Sequence, residues 1–168
     1  MTADRHAPVT CPGCGAVQLG QGLTPPGRYH ASGECWATYG ELSAALAERA
    51  ELSFPTQLSV DAYGAQHAGG SSRPITTAFS LIGLYLVNER GQSGRQAQLA
   101  HMRLARQRWT WPAFVPPDMQ GSLTVLDVLA APSGPPQDQQ LRAWSASVWA
   151  AWQDWHGWTA DFCRRHLG

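Results

Sequence analysis

An all-α fold, a single-domain helical bundle entered through an irregular N-terminal zinc-knuckle segment, is what this sequence predicts. Three observations carry that prediction. After Ser32, apolar residues recur at three- and four-residue steps through most of the chain. Before it, glycines and prolines crowd a stretch with few large apolar side chains. Within that stretch, Cys11-Pro-Gly-Cys14-Gly offers a metal ion as the source of order that a core does not supply there.

Residues 1–31 contain Pro12, Gly13, Gly15, Gly20, Gly22, Pro25, Pro26 and Gly27. Such residues favour turns, so this metal-binding lead-in is expected to be irregular or a small hairpin. Residues 32–168 make the helical domain, which is expected to fold as one unit with the lead-in. Ser32 is placed as an N-cap, and Trp36, Tyr39, Leu42 and Leu46 line one face of a helix to about Glu51. The second helix carries Pro55 in its first turn, points Leu58 and Ala62 inward, and ends near Gln66 or His67 before Gly69–Gly70. A third, from Pro74 to about Arg90, is the most apolar, with Phe79, Ile82, Leu86 and Val87; Gly91 stops it. The fourth runs from Gln96 to Arg108 with Leu99 and Met102 on its stripe. Leu123–Leu129 suits a buried strand as well as a short helix, because so short a run holds too few periods to decide. Beyond a linker at Pro132–Pro136, one long helix is expected from Gln137 to His166, with Leu141, Trp144, Val148, Trp152 and Trp155 in rhythm.

A chain of 168 residues, 43% of them hydrophobic, fits one domain. At that size roughly 70% of the unfolded surface can be buried without help from disulfides. Twelve acidic residues balance twelve basic ones, so no bulk charge draws nucleic acid or an anionic membrane. Arg103, Arg106 and Arg108 lie close together and read as a solvated helix face. Every basic residue is an arginine; with no lysine, Schiff-base and lysine-nucleophile mechanisms are excluded. No stretch approaches the roughly 20 apolar residues of a membrane span, and Ala78–Val87 is far too short. Asp4, Arg5 and His6 lead directly to Pro8 and Cys11 without an apolar export segment, which predicts a cytoplasmic location. There, four cysteines point to metal or redox chemistry more than to disulfides.

Two thiolates separated by two residues chelate one ion, because the turn between them points both sulfurs the same way. A closed tetrahedral site needs two more ligands, and no second C-x-x-C exists. Cys35 stands twenty residues beyond Cys14, in the first turn of a helix whose dipole favours a thiolate. His67 ends the second helix beside two glycines, where an imidazole projects freely. The preferred set is Cys11, Cys14, Cys35 and His67, with Zn2+ as the ion. His30, His166, a water molecule and the C-x-x-H pair Cys163–His166 stay open as alternatives. A thioredoxin-like redox use of C-x-x-C normally follows a strand in a βαβ unit, and nothing strand-like precedes Cys11.

The order C-P-G-C-G (Cys11–Gly15), G-E-C-W-A-T-Y-G-E (Gly33–Glu41) and S-V-D-A-Y-G-A-Q-H-A-G-G (Ser59–Gly70) resembles a bacterial family, the domain of unknown function 5946. The likeness continues through Leu81–Gly91, Leu123–Leu129 and Trp144–Trp152, so it spans most of the chain. The family's usual Q-H-P-G stands here as Gln66-His67-Ala68-Gly69, which keeps the histidine. The resemblance implies Cys35 and His67 as partners of the C-x-x-C pair and implies no activity.

Two further groups draw notice. Asp61, Tyr63 and His67 occupy neighbouring turns; a zinc with only three protein ligands beside them would make a metalloenzyme with an acidified water. Eight tryptophans crowd the chain, and Trp149, Trp152 and His156 are candidates for a ligand or partner face, with a homodimer among the possible uses. Three function classes follow: a zinc-stabilised module that binds a protein or small molecule, a metalloenzyme with an open site, and a thiol redox sensor.

Overall fold

The computed structural model describes residues 6–168. The first five, which open the lead-in and carry Asp4 and Arg5, lie outside the described residues. The chain folds as an all-α bundle preceded by a two-stranded antiparallel hairpin, β1 (Pro8–Thr10) and β2 (Val17–Leu19), with Val9 opposite Gln18. A strand therefore does precede Cys11, against the sequence expectation, but it belongs to a hairpin and not to a βαβ unit. Seven α-helices follow: α1 (Gly33–Glu48), α2 (Pro55–Gln66), α3 (Pro74–Asn88), α4 (Gly94–Leu104), α5 (Val125–Ala130), α6 (Pro135–Ala151) and α7 (His156–His166). Among the described residues, no helix is long and apolar enough to cross a membrane.

α2 is the central element, touching α1, α3, α4 and α6. Its weak amphipathicity has a structural cause: from Leu58 to Ala68 only Val60 escapes burial, so there is no solvent face to make polar. Close approach to α3 depends on glycine. A Cβ on Gly64 would fall 2.2 Å from Ser80 Oγ, so the two helices meet without side-chain standoff. Polar groups buried along α2 then need partners. Gln66 finds three: its Nε2 donates to the carbonyls of Gln120 and Leu123, and its Oε1 accepts from Trp144 Nε1 at 2.9 Å. This amide therefore ties the long loop before α5 to α6.

Leu123–Leu129 resolves as mostly helix. Thr124 caps α5 by accepting from Leu126 N–H, and the Asp127 carboxylate accepts from the Thr124 backbone in return. α4 starts slightly earlier than its apolar pattern, at a capping box between Ser93 and Gln96, and stops at Leu104 rather than Arg108.

The single helix expected over Gln137–His166 is corrected by the structure. α6 stops at Ala151, a short 3-10 turn spans Gln153–Trp155, and α7 begins at His156. Burial of Trp152 turns the chain: its indole Nε1 donates to the Ala65 carbonyl at 3.2 Å. His156 Nε2 meets the Trp149 carbonyl at 2.7 Å, a second contact on an oxygen that already accepts from the Trp152 N–H at 3.0 Å where α6 ends. Two axes then distribute the tryptophans over two apolar clusters. Trp144, Trp149 and Trp152 join the main core with α1, α2 and α5, while Trp109, Trp111 and Trp158 pack against the α3–α4–α7 cluster.

Candidate metal centre

Between β1 and β2, Cys11 N–H donates to the Ala16 carbonyl at 2.8 Å and Gly15 N–H donates to the Cys11 carbonyl at 2.9 Å. Gly15 adopts φ +75°, a conformation that favours glycine. Gly13 is needed for a different reason. A Cβ there would lie 2.3 Å from the His30 carbonyl oxygen and 2.6 Å from the His67 ring. The turn therefore rests directly on the end of α2.

Cys35 is the third residue of α1, and Ser32 Oγ accepts from its backbone N–H at 3.1 Å. Glu34 holds the lead-in from the same turn, its carboxylate accepting from the backbone N–H of Gln21 at 2.8 Å. His67 caps α2 at its C-terminus. Its Nδ1 stands 2.8 Å from the Tyr63 carbonyl. A carbonyl only accepts, so the proton resides on Nδ1 and Nε2 presents its lone pair, as metal-binding histidines do.

That lone pair faces sulfur. His67 Nε2 is 3.4 Å from Cys35 Sγ, and Cys35 Sγ is 3.8 Å from Cys14 Sγ. The ligand atoms of Cys11, Cys14, Cys35 and His67 all lie within 4.8 Å of one another. A tetrahedron with zinc–sulfur bonds of about 2.3 Å sets its sulfurs roughly 3.8 Å apart, so the spacing fits a four-coordinate ion. Cys11, Cys35 and His67 are buried and Cys14 half-buried. A donor set of three sulfurs and one imidazole, with no carboxylate, is chemically soft.

Hydrogen bonds from Cys14 and Cys35 draw the Cys11 thiol far below its ordinary range. The same bond to Cys11 pushes Cys14 up to about 11, and Cys35 rises further. Thiols this close oppose one another's ionisation, and a bound cation is what would let all three ionise. Tyr63 supports the set from outside. Its hydroxyl donates to Cys35 Sγ at 3.6 Å, and its ring stacks on His67 with centroids 3.9 Å apart. Burial raises its phenol and keeps it a donor.

The remaining candidates fall elsewhere. His30 meets His67 through its backbone N–H, while its ring lies against Gly69 and Gly70. Cys163 sits in the α3–α4–α7 cluster, where burial raises it to about 12, and the His166 ring lies 4.6 Å from that of Trp109. Asp61 is two residues from Tyr63, which turns it roughly 200° around the helix axis. It faces Gly83 on α3 and His101 on α4, and none of its hydrogen bonds among the described residues runs to the cluster. Trp149 and Trp152 are buried, and His156 is half-buried with its ring stacked on Trp149 at 3.8 Å. They form an interior corner rather than an exposed partner face. Sequence reasoning missed the Tyr63–sulfur bond and the role of Gly13. The four-residue step from Tyr63 to His67 was the available signal for the first.

Fold and cluster together define a small helical protein whose N-terminal hairpin meets the bundle at a Cys3His set. The chain belongs to the family of unknown function DUF5946, whose model matches residues 9–153. No curated protein and no solved structure matches it.

Proposed function

We propose that this protein is a zinc-stabilised helical module for binding a protein or small-molecule partner, with Cys11, Cys14, Cys35 and His67 as a closed structural site. The observation that carries this reading is the convergence of four donors from three separate segments. The hairpin supplies two, the start of α1 one and the end of α2 one. Zinc held there supplies cross-linking: it ties a segment with little core of its own to the two helices on which it rests. Four protein ligands leave no position for a substrate or an activated water, which separates this site from catalytic zinc. The open-site enzyme is disfavoured further because Asp61 faces away from Tyr63 and His67.

Metal analysis by mass spectrometry on the purified protein tests the reading, alongside Cys35→Ser and His67→Ala. About one zinc per chain in the wild type, lost in both variants with a lower melting temperature, is the expected result. Zinc retained in a folded His67→Ala protein would assign the fourth position to another group. No metal in the wild type would overturn the proposal.

A second reading rests on the partial exposure of Cys14. Peroxide would take two electrons from the Cys11 and Cys14 thiolates, form a disulfide and release the ion. Zinc release by peroxide that dithiothreitol reverses would support this thiol-sensor role; unchanged zinc content would end it.

A further inference from the structure

Burial of α2 takes four polar side chains out of water, and three of them are satisfied. Ser59 donates to the Thr56 carbonyl at 2.7 Å, Gln66 uses both ends of its amide, and His67 belongs to the cluster. Asp61 is the exception. Its side chain is 2% exposed, Oδ1 accepts one hydrogen bond from Gln57 Nε2 at 3.1 Å, and Oδ2 has no partner. No arginine pairs with it among the described residues; the titratable group beside it is His101, with Nδ1 4.0 Å from Oδ1.

His101 does not supply the missing charge. The Gln57 amide nitrogen, 3.1 Å from Asp61, is also 3.2 Å from His101 Nδ1. An amide nitrogen only donates, so Nδ1 accepts and the imidazole proton sits on Nε2. Nε2 is itself buried without a hydrogen bond. Burial pushes this histidine down to about 4, against a smaller upward pull from the Phe79 backbone, so the ring is neutral near pH 7. Burial also raises the Asp61 carboxyl well above the usual range, so without a cation beside it the acid favours its protonated form, and a cation bound there takes the place of that proton.

The fold makes room for this carboxylate. A Cβ on Gly83 would fall 1.9 Å from Asp61 Oδ2, so the acid occupies the notch that a glycine leaves in α3. Glycine inside a helix costs about 1 kcal/mol relative to alanine. Asp61 and His101 line a surface pocket of about 210 Å³ with Tyr29, Ile75 and Phe79 on its walls. Ile75 and Phe79 also belong to a groove of about 310 Å³ that carries Trp109 and Trp111. One water needs only about 15 Å³ of such space, and two protein ligands fall short of the three or four that hold a metal.

We propose that this pocket binds a small organic ammonium ion, its nitrogen on Asp61 and its apolar chain or ring along Phe79 and the Trp109–Trp111 groove. Such a cation displaces the carboxyl proton and gives the ionised Asp61 the partner that the protein withholds. Aromatic walls attract it through their ring quadrupoles, and a neutral His101 does not repel it. Asp61 lies on the face of α2 opposite Tyr63, and only the Tyr29 wall reaches that side, edge-on to Tyr63 at 5.3 Å, so the proposal uses no residue of the Cys3His set.

Isothermal titration of the intact protein with phenethylammonium chloride at neutral pH tests it, with 2-phenylethanol as the uncharged analogue and Asp61→Asn as the isosteric variant. Saturable one-to-one binding tighter than about 1 mM is expected for the ammonium. Affinity should fall at least about tenfold for the alcohol and in Asp61→Asn, because a buried charge pair loses one member. The alcohol comparison uses the wild-type protein alone, so it stands even if the variant folds poorly. No saturable ammonium binding, equal binding of the alcohol, or unchanged affinity in a folded Asp61→Asn protein would each overturn the proposal. So would a zinc or manganese ion held by Asp61 and His101.

Discussion

Replacing Gly13 with alanine places one methyl group where the structure has no space. Its carbon would sit 2.3 Å from the His30 carbonyl oxygen, 2.6 Å from His67 Cδ2 and 3.2 Å from the Gln66 carbonyl oxygen. Two of those atoms are backbone, and the His30 N–H to His67 carbonyl bond of 2.8 Å holds both segments in place. Ordinary contact is about 3.5 Å, so the knuckle turn has to retreat by about 1 Å. A turn that retreats carries Cys11 and Cys14 away from Cys35 and His67. Overpacking of this kind costs typically about 1–3 kcal/mol. With tenfold per 1.4 kcal/mol, zinc affinity should fall about 5- to 150-fold. Competition against a chromophoric zinc chelator measures it, and far-UV circular dichroism checks that the helices remain. Gly27→Ala is the control, since a Cβ there meets nothing within 4 Å. An affinity within about twofold of wild type in a folded Gly13→Ala protein would refute the claim that this close approach positions the ligands.

Two further outcomes are expected. Tyr63→Phe removes the hydroxyl that donates to Cys35 Sγ but keeps the ring stacked on His67, so zinc affinity should drop about tenfold or more in the same competition assay while the melting temperature of the zinc-free protein changes little. His101 is held neutral when folded, with its pKa lowered from 6.5 to about 4. The unfolded chain therefore binds a proton first as pH falls. Stability from this group is present above 6.5 and is lost between 6.5 and 4, by about 3 kcal/mol at most. Denaturant melts across that window, wild type minus His101→Gln, should show the loss; a flat difference would count against the burial argument.

Much of the fold was open to sequence reasoning because local chemistry specified it. Pro55 and Pro74 begin α2 and α3, Ser32 caps α1, and the apolar rhythm marks where helices lie. The cluster of Cys11, Cys14, Cys35 and His67 was legible for a similar reason. Two cysteines two residues apart chelate by local geometry, and Cys35 and His67 sit at helix ends, where a side chain is free to turn toward a third segment. The break between α6 and α7 was not legible. It arises because Trp152 is buried with its N–H on a carbonyl of α2, a contact between residues 87 apart in sequence. Periodicity sees neighbours within a turn or two and registers no such pull.

The same division holds for the two sites. By itself the sequence determined which residue types a soft-ligand cluster would draw on, since sulfur and imidazole chemistry is intrinsic to the side chains; their convergence is a property of the fold. Only tertiary structure decided that Tyr63 serves the cluster while Asp61 faces the opposite way. Helical rotation separates them, and α3 and α4 close over Asp61 with a glycine notch and a neutral histidine. The order of residues along α2 contains both acids and rings. Which of them remain without a partner depends on what packs against each face.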